Sequence, residues 1–263
     1  GFEFSIEATG DNKADAPMPA PATVRVSSED AASGTKVPFA FDKVSFDKAG
    51  TYTYNVSETK GSIAGVTYDG HTATITVKVT DDGLGKLKAT VSIKDPVFTN
   101  EYKAVAPTPE AGQSNMTFTK KLVGRDWHNG ETFSFTMTGE DGAPMPEGSS
   151  NGTKTVKAEK PSNGNPAKLG FGPITYTFAD VENAPQHTKQ FVYTIRENIP
   201  AEGDRAPHLT YDNREVKLYV TVKDHGDGVL GVSSFVENGA VDATFVNTYK
   251  AELDFTEVAN GAG

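Results

Sequence analysis

The chain has 263 residues, room for one large all-β domain or two of ordinary size. Its 25 Lys and Arg against 35 Asp and Glu leave a formal net charge of −10, which argues against nucleic acid and anionic membranes as partners, since both need a basic patch. With no cysteine, disulfides, thiolate zinc sites and cysteine nucleophiles are excluded, and no apolar run is long enough for a membrane span or signal peptide.

Apolar and polar residues alternate along most of the chain, and no stretch carries a capped 3.6-residue apolar stripe, so the expected fold class is all-β. In chain order the predicted strands of the first half are Phe2–Ile6, Tyr52–Glu58, Val66–Asp69, Thr72–Val79 and Phe98–Ala104, with turns at Asp69-Gly70 and Asp81-Asp82-Gly83. Residues 105–115, with Pro107, Pro109 and Gly112, suit a short semi-rigid linker. The second half opens with a strand at Met116–Leu122. It continues through Phe133–Met137, Phe191–Glu197, Leu209–Asp212, Glu215–Val222 and Phe245–Ala251.

The halves repeat each other in order. Phe2-Glu3-Phe4-Ser5-Ile6 matches Phe133-Ser134-Phe135-Thr136-Met137, and Tyr52–Glu58 matches Phe191–Glu197. Val66-Thr67-Tyr68-Asp69 matches Leu209-Thr210-Tyr211-Asp212, and Phe98–Ala104 matches Phe245–Ala251. A duplicated domain follows: repeat 1 over 1–104, linker 105–115, repeat 2 over 116–249. Repeat 1 has no counterpart of the opening strand at Met116–Leu122, whereas the tail, 250–263, carries Leu253–Ala259, which reads as another opening strand with nothing behind it. Residues 252–259 are therefore expected to add to repeat 1 of another copy, or to fold back in a swapped arrangement.

Alternation places three polar groups on inward faces: Lys120 with Met116, Phe118 and Leu122; Glu197 with Tyr193 and Ile195; Asn247 with Phe245 and Tyr249. Buried charges must pair or become neutral. Burial lowers a lysine pKa and raises a glutamic acid pKa, so a neutral Lys120 amine can attack the Asn247 side-chain carbonyl. Protonated Glu197 is expected to hydrogen-bond that carbonyl and shuttle protons as ammonia leaves. The product is an intramolecular crosslink between first and last strands, a covalent staple in a chain without cysteine.

These motifs resemble the pilin isopeptide-linkage domains of Gram-positive surface proteins, the T-antigen or major-pilin backbone type (Cna-B-like). The residues that carry the likeness are the Lys-x-Leu strand before Gly124-Arg125-Asp126-Trp127, the Tyr-x-Tyr-x-Val-x-Glu or Tyr-x-Ile-x-Glu segment, Thr-Tyr-Asp, and the closing Phe-x-Asn-x-Tyr. The resemblance implies two tandem immunoglobulin-like β-sandwich domains and a Lys–Asn bond assisted by an acidic residue. Residue by residue it assigns Lys120, Glu197 and Asn247 in repeat 2, and Glu58 and Asn100 in repeat 1. Asn100 has no lysine partner: Lys13 and Lys36 stand in the wrong strand context, and the tail has Glu257 where Lys120 stands.

The function expected is a structural stalk or backbone segment of a bacterial surface adhesin or pilus, extracellular and cell-wall-anchored, with single-turnover self-crosslinking and no enzymatic turnover. No sorting signal or polymerising pilin-motif lysine is visible. The expected partners are neighbouring repeats or copies of the same chain. A different class of function, an adhesin module that recognises a host glycan or protein, would use the insertions at 140–168 and 198–208. A third, an appendage of a hydrolase, has no catalytic motif behind it. No cofactor and no metal site are expected, because His71, His128, His187, His208 and His225 lack ligand spacing and neither Asp-rich turn has the distal Glu of a calcium loop.

Overall fold

A computed structural model describes residues 1–27, 34–106, 117–237 and 243–252; the expected tail strand at 253–259 and most of the 105–115 linker lie outside them. The chain divides into two compact units, Gly1–Lys103 and Ala104–Gly263.

In the second unit the strands are β8 (Thr117–Val123), β9 (Thr132–Gly139), β10 (Thr153–Glu159), β11 (Ala167–Gly170), β12 (Thr188–Glu197), β13 (Leu209–Thr210), β14 (Glu215–Asp224), β15 (Leu230–Val236) and β16 (Thr244–Tyr249). They form a sandwich of two sheets, ordered β10-β9-β12-β14-β15 and β11-β8-β16-β13. The pairs are antiparallel except that β8 and β16, the first and last strands, lie side by side in parallel, with Lys120 opposite Phe245 and Asn247 opposite Leu122. Phe118, Lys120 and Leu122 of β8 are buried while Thr117, Lys121 and Val123 are exposed, as strict alternation requires. Their rings and chains fill the space above Phe133, Phe135 and Met137 of β9; Phe118 lies 4.8 Å from Phe135, 5.3 Å from Phe171 and 5.9 Å from Phe245. Each fully buried aromatic of this kind contributes roughly 1.5–3 kcal/mol by leaving water.

The first unit holds β1 (Phe2–Thr9), β2 (Thr23–Val26), β3 (Gly50–Thr59), β4 (Val66–Thr67), β5 (Thr72–Asp81), β6 (Leu87–Lys94) and β7 (Glu101–Tyr102). Its large sheet, β2-β1-β3-β5-β6, has the order of β10-β9-β12-β14-β15. Its second sheet is only the short pair β4–β7, the counterpart of β13–β16. Among the described residues no strand takes the places of β8 and β11. The duplication extends to a feature that strand patterning does not expose. Ala16-Pro17-Met18-Pro19 recurs as Ala143-Pro144-Met145-Pro146. The Tyr54 hydroxyl donates to the Pro17 carbonyl (2.9 Å), and Tyr193 donates to that of Pro144 (2.8 Å).

Two expectations need adjusting. Residues 104–106 are stitched into the second unit: the Val105 N–H donates to the Gly228 carbonyl (3.2 Å) and the Leu230 N–H donates to that of Val105 (2.9 Å). The segment 140–168, expected to be a loop insertion, contains β10 and the start of β11, so it supplies an edge strand to each sheet.

β8 ends at Gly124, whose φ is +94° and whose Cβ, were there one, would be driven into the Tyr249 carbonyl oxygen. Gly130 also has positive φ, but nothing lies within 4 Å. Gly124→Ala is thus expected to cost the second unit clearly more than the ~1 kcal/mol of backbone strain expected for Gly130→Ala. Denaturant unfolding followed by the fluorescence of Trp127 would measure both.

Candidate crosslinking site

Three strands deliver two ionisable side chains and one amide to a single point in the second unit. β8 brings Lys120 and β16 brings Asn247, both 0 % exposed, and β12 brings Glu197. Lys120 Nζ donates to Glu197 Oε2 at 2.7 Å, and Asn247 Nδ2 donates to Glu197 Oε1, also at 2.7 Å. One carboxyl therefore bridges the amine and the amide through its two oxygens. Around them stand aromatic rings, with Lys120 Nζ 4.7 Å from the Phe133 centroid and 5.7 Å from that of Phe135. In this dry setting burial pulls the Lys120 pKa below its ordinary value and pushes that of Glu197 up, both toward the neutral forms.

The amide is oriented by Asp212, a residue to which the sequence assigned no role beyond its place in Thr-Tyr-Asp. Its backbone N–H donates to Asn247 Oδ1 at 2.8 Å. Because an N–H can only donate, this contact fixes the carbonyl end of the amide and turns the nitrogen toward Glu197. The sequence expectation had Glu197 on the carbonyl; the structure puts it on the amide nitrogen and gives the carbonyl to the Asp212 N–H. The Asp212 carboxylate in turn accepts the Val246 N–H (2.9 Å) and the Arg214 guanidinium (2.8 Å). Burial raises its pKa, but these donors outweigh burial and hold it below the ordinary value.

A further residue was not legible in advance. Asn165 brackets Leu122 on β8: its Oδ1 accepts the Leu122 N–H (3.2 Å) and its Nδ2 donates to the Leu122 carbonyl. The Trp127 indole N–H also donates to that Oδ1, at 3.4 Å. An isolated Asn in a Gly/Pro-rich segment offers no periodic signal.

In the first unit, Glu58 and Asn100 also meet. Asn100 Nδ2 donates to Glu58 Oε1 at 2.7 Å, and the Asp69 N–H donates to Asn100 Oδ1 at 2.7 Å. Lys13 and Lys36 are both exposed. Burial raises the Glu58 pKa against the hydrogen bond from Asn100. Where the second unit has Arg214, the first has His71, whose Nδ1 lies 2.7 Å from Asp69 Oδ1. Among the described residues no group of three His, Cys, Asp or Glu side chains could hold a metal ion, and no helix is long and apolar enough to cross a membrane.

Residues 1–103 and 116–250 match FctA, the Spy0128-like isopeptide containing domain. The chain belongs to that family. The match covers both units, so each half is a copy of the isopeptide domain. Solved structures similar to the chain include the T-13 major pilin protein of Streptococcus pyogenes, at 17 % identity and a TM-score of 0.27, over 95 % of this chain and 89 % of that one. The T3.2 major pilin protein of the same species aligns at 17 % identity and 0.28, over 95 % and 90 %. Another major pilin from Streptococcus pyogenes aligns at 18 % identity and 0.31, over 94 % and 90 %. No curated protein matches.

The Asp69–His71 contact yields a pH dependence confined to the first isopeptide domain. Asp69 is held at about 2, chiefly by the Thr99 and His71 N–H groups, and the hydrogen bond to Asp69 raises the His71 pKa. The His71 contribution is full below the unfolded value of about 6.5 and fades as pH rises through the higher folded value. The Asp69 contribution is full above about 3.9 and fades as pH falls toward the low folded value. The calorimetric transition of this unit should drop on the alkaline side of pH ~6.5, and His71→Gln should flatten that slope.

Proposed function

We propose that the chain is a structural segment of a pilus or adhesin stalk on a Gram-positive cell wall, and that its second domain is locked by a self-formed isopeptide bond between Lys120 and Asn247. The observation that carries this is the Glu197 carboxyl, buried and hydrogen-bonded at once to the Lys120 amine and the Asn247 amide.

The chemistry follows from that bridge. Shifting one proton from Lys120 to Glu197 leaves a neutral amine beside a neutral acid, which burial favours. The Lys120 nitrogen attacks Asn247 Cγ, and negative charge building on Oδ1 is met by the Asp212 N–H, already in place and costing no rearrangement. Glu197 takes a proton from the attacking nitrogen on one oxygen and delivers one to Nδ2 from the other. The Nζ–Cγ bond forms, the Cγ–Nδ2 bond breaks, ammonia departs, and the carboxyl is left protonated, holding the proton first shifted from Lys120. The lysine and asparagine are consumed, so the reaction runs once and there is no turnover.

The bond would close a loop of more than a hundred residues, worth about 5 kcal/mol in a chain-entropy treatment. Its position matters more than its size. β8 and β16 are neighbours at the two ends of the domain's chain. Tension between those ends passes through the bond, and the strands between them carry none. Such a domain resists pulling and proteolysis kinetically, which suits association with other pilin subunits in an exposed fibre.

The intact mass of the denatured chain tests the proposal. It should fall short of the sequence mass by one ammonia, about 17 Da, and Lys120→Ala or Glu197→Ala should restore the full mass. Glu197→Ala should also lower the stability of this domain by about 5 kcal/mol or more. A full-length mass in the unaltered chain would overturn it.

A further inference from the structure

Asp95 stands before Pro96, the one Asp-Pro pair in the chain. It follows β6 directly and has a φ of +52°, in the left-handed region that a residue with a side chain adopts only under strain. The proline ring narrows its backbone choices further. The carbonyl of this Asp-Pro bond is held by His71, whose Nε2 lies 3.0 Å from the Asp95 oxygen. The other ring nitrogen, Nδ1, lies 2.7 Å from Asp69 Oδ1. Both neighbours are acceptors, so only the doubly protonated ring donates to both. Phe98 stacks on that ring at 4.3 Å. Asp69 first and then Asp95 are the charged groups that act on it, and both raise its pKa above the ordinary value. A cation therefore sits on one particular peptide carbonyl.

In the second unit Arg214 takes the place of His71, with its guanidinium on Asp212 and on the Thr244 carbonyl. The bond that follows there is Thr244-Phe245, with no Asp or Pro in it. Tying the entry of the last strand to the Thr-Tyr-Asp turn is therefore the shared structural task. The first unit differs in placing the cation on a bond with chemistry of its own. Proline has no N–H, so the succinimide that other aspartyl bonds form through the next residue's nitrogen is closed. What remains is attack by the Asp95 carboxylate on its own carbonyl carbon, which closes a five-membered anhydride. Nucleophile and target belong to one residue, so the encounter is already arranged. Asp95 and Pro96 are exposed, so water reaches the bond.

We propose that the Asp95–Pro96 bond is a self-cleavage site at which the first domain cuts its own chain. An Asp95 carboxylate oxygen attacks the Asp95 carbonyl carbon, and the charge that builds on the carbonyl oxygen is met by the His71 Nε2–H. The C–N bond to Pro96 breaks, and the proline nitrogen takes its proton from His71. Water then opens the anhydride into two carboxylates. The two protons released restore the His71 ring and charge the new prolyl amine. In sum, one peptide bond and one water become a carboxyl end on Asp95 and an amino end on Pro96. The cut parts β1–β6 from residues 96–103, whose ladder to the rest of the unit is the pair β4–β7. This inference does not depend on the crosslinking chemistry proposed above.

The test is to hold the full chain at pH about 6 and about 9, denature samples over days, and read intact masses. Expected at the lower pH are two fragments, residues 1–95 and 96–263, whose masses sum to that of the uncut chain plus one water, about 18 Da. Sequencing of the second should begin Pro-Val-Phe. A synthetic peptide of residues 91–99 measures the lability of the bare Asp-Pro bond, and the native chain should cut at least about tenfold faster at pH about 6. His71→Gln should bring the chain down to the peptide's rate, and Asp95→Ala should stop the cut. An uncut chain, or equal rates for chain and peptide, would overturn the proposal without recourse to any variant. Cleavage that His71→Gln leaves unchanged would overturn it as well.

Discussion

A buried carboxyl group organises the second domain. Glu197 cannot stay charged among Phe133, Phe135 and Phe245 unless it is paired, and it finds its pair on the first strand and its hydrogen-bond donor on the last. That single requirement draws β8 and β16 together on one side of the sandwich and β12 across from them. It also holds the neutral and ionic forms of the Lys120–Glu197 pair close in energy. Most proteins treat such a buried polar cluster as a cost to be balanced by specificity. The crosslink proposed above would give this cluster a chemical exit, since a lysine and an asparagine joined as an amide no longer need a partner for a buried charge.

Duplication gives an internal control. Glu58, Asn100 and Asp69 keep their mutual contacts without a lysine, so the acid–amide–backbone arrangement is set by β1, β3 and the Thr-Tyr-Asp turn and not by the ammonium. Among the described residues the second sheet of the first domain is the short pair β4–β7, and Phe39 stacks on Phe4. Glu58 Oε2 is buried with no hydrogen-bond partner among the described residues.

The absence of cysteine bears on the same point. A domain of this size buries enough apolar surface to fold on its own, so a covalent staple is not needed for equilibrium stability. What the proposed bond would add is a path for tension along the shortest route between the ends of the domain. A disulfide between the same strands would serve the same geometry but would be reducible, whereas an amide formed inside a dry core is not.

Alternation and duplication were enough, from sequence alone, to establish an all-β chain of two related domains and the inward faces of Lys120, Glu197 and Asn247. All of these are local or repeat-level properties, carried by a period of two residues. The roles of Asp212, Asn165 and Phe39 were not legible, because each depends on which backbone N–H or ring arrives from a segment tens of residues away. The quoted Thr-Tyr-Asp marked Asp212 but not its task, since a backbone donor leaves no trace in residue type. Alternation aims a side chain inward without saying what meets it there. Only the packing of the sheets decided that Glu197 faces the amide nitrogen of Asn247 and not its carbonyl.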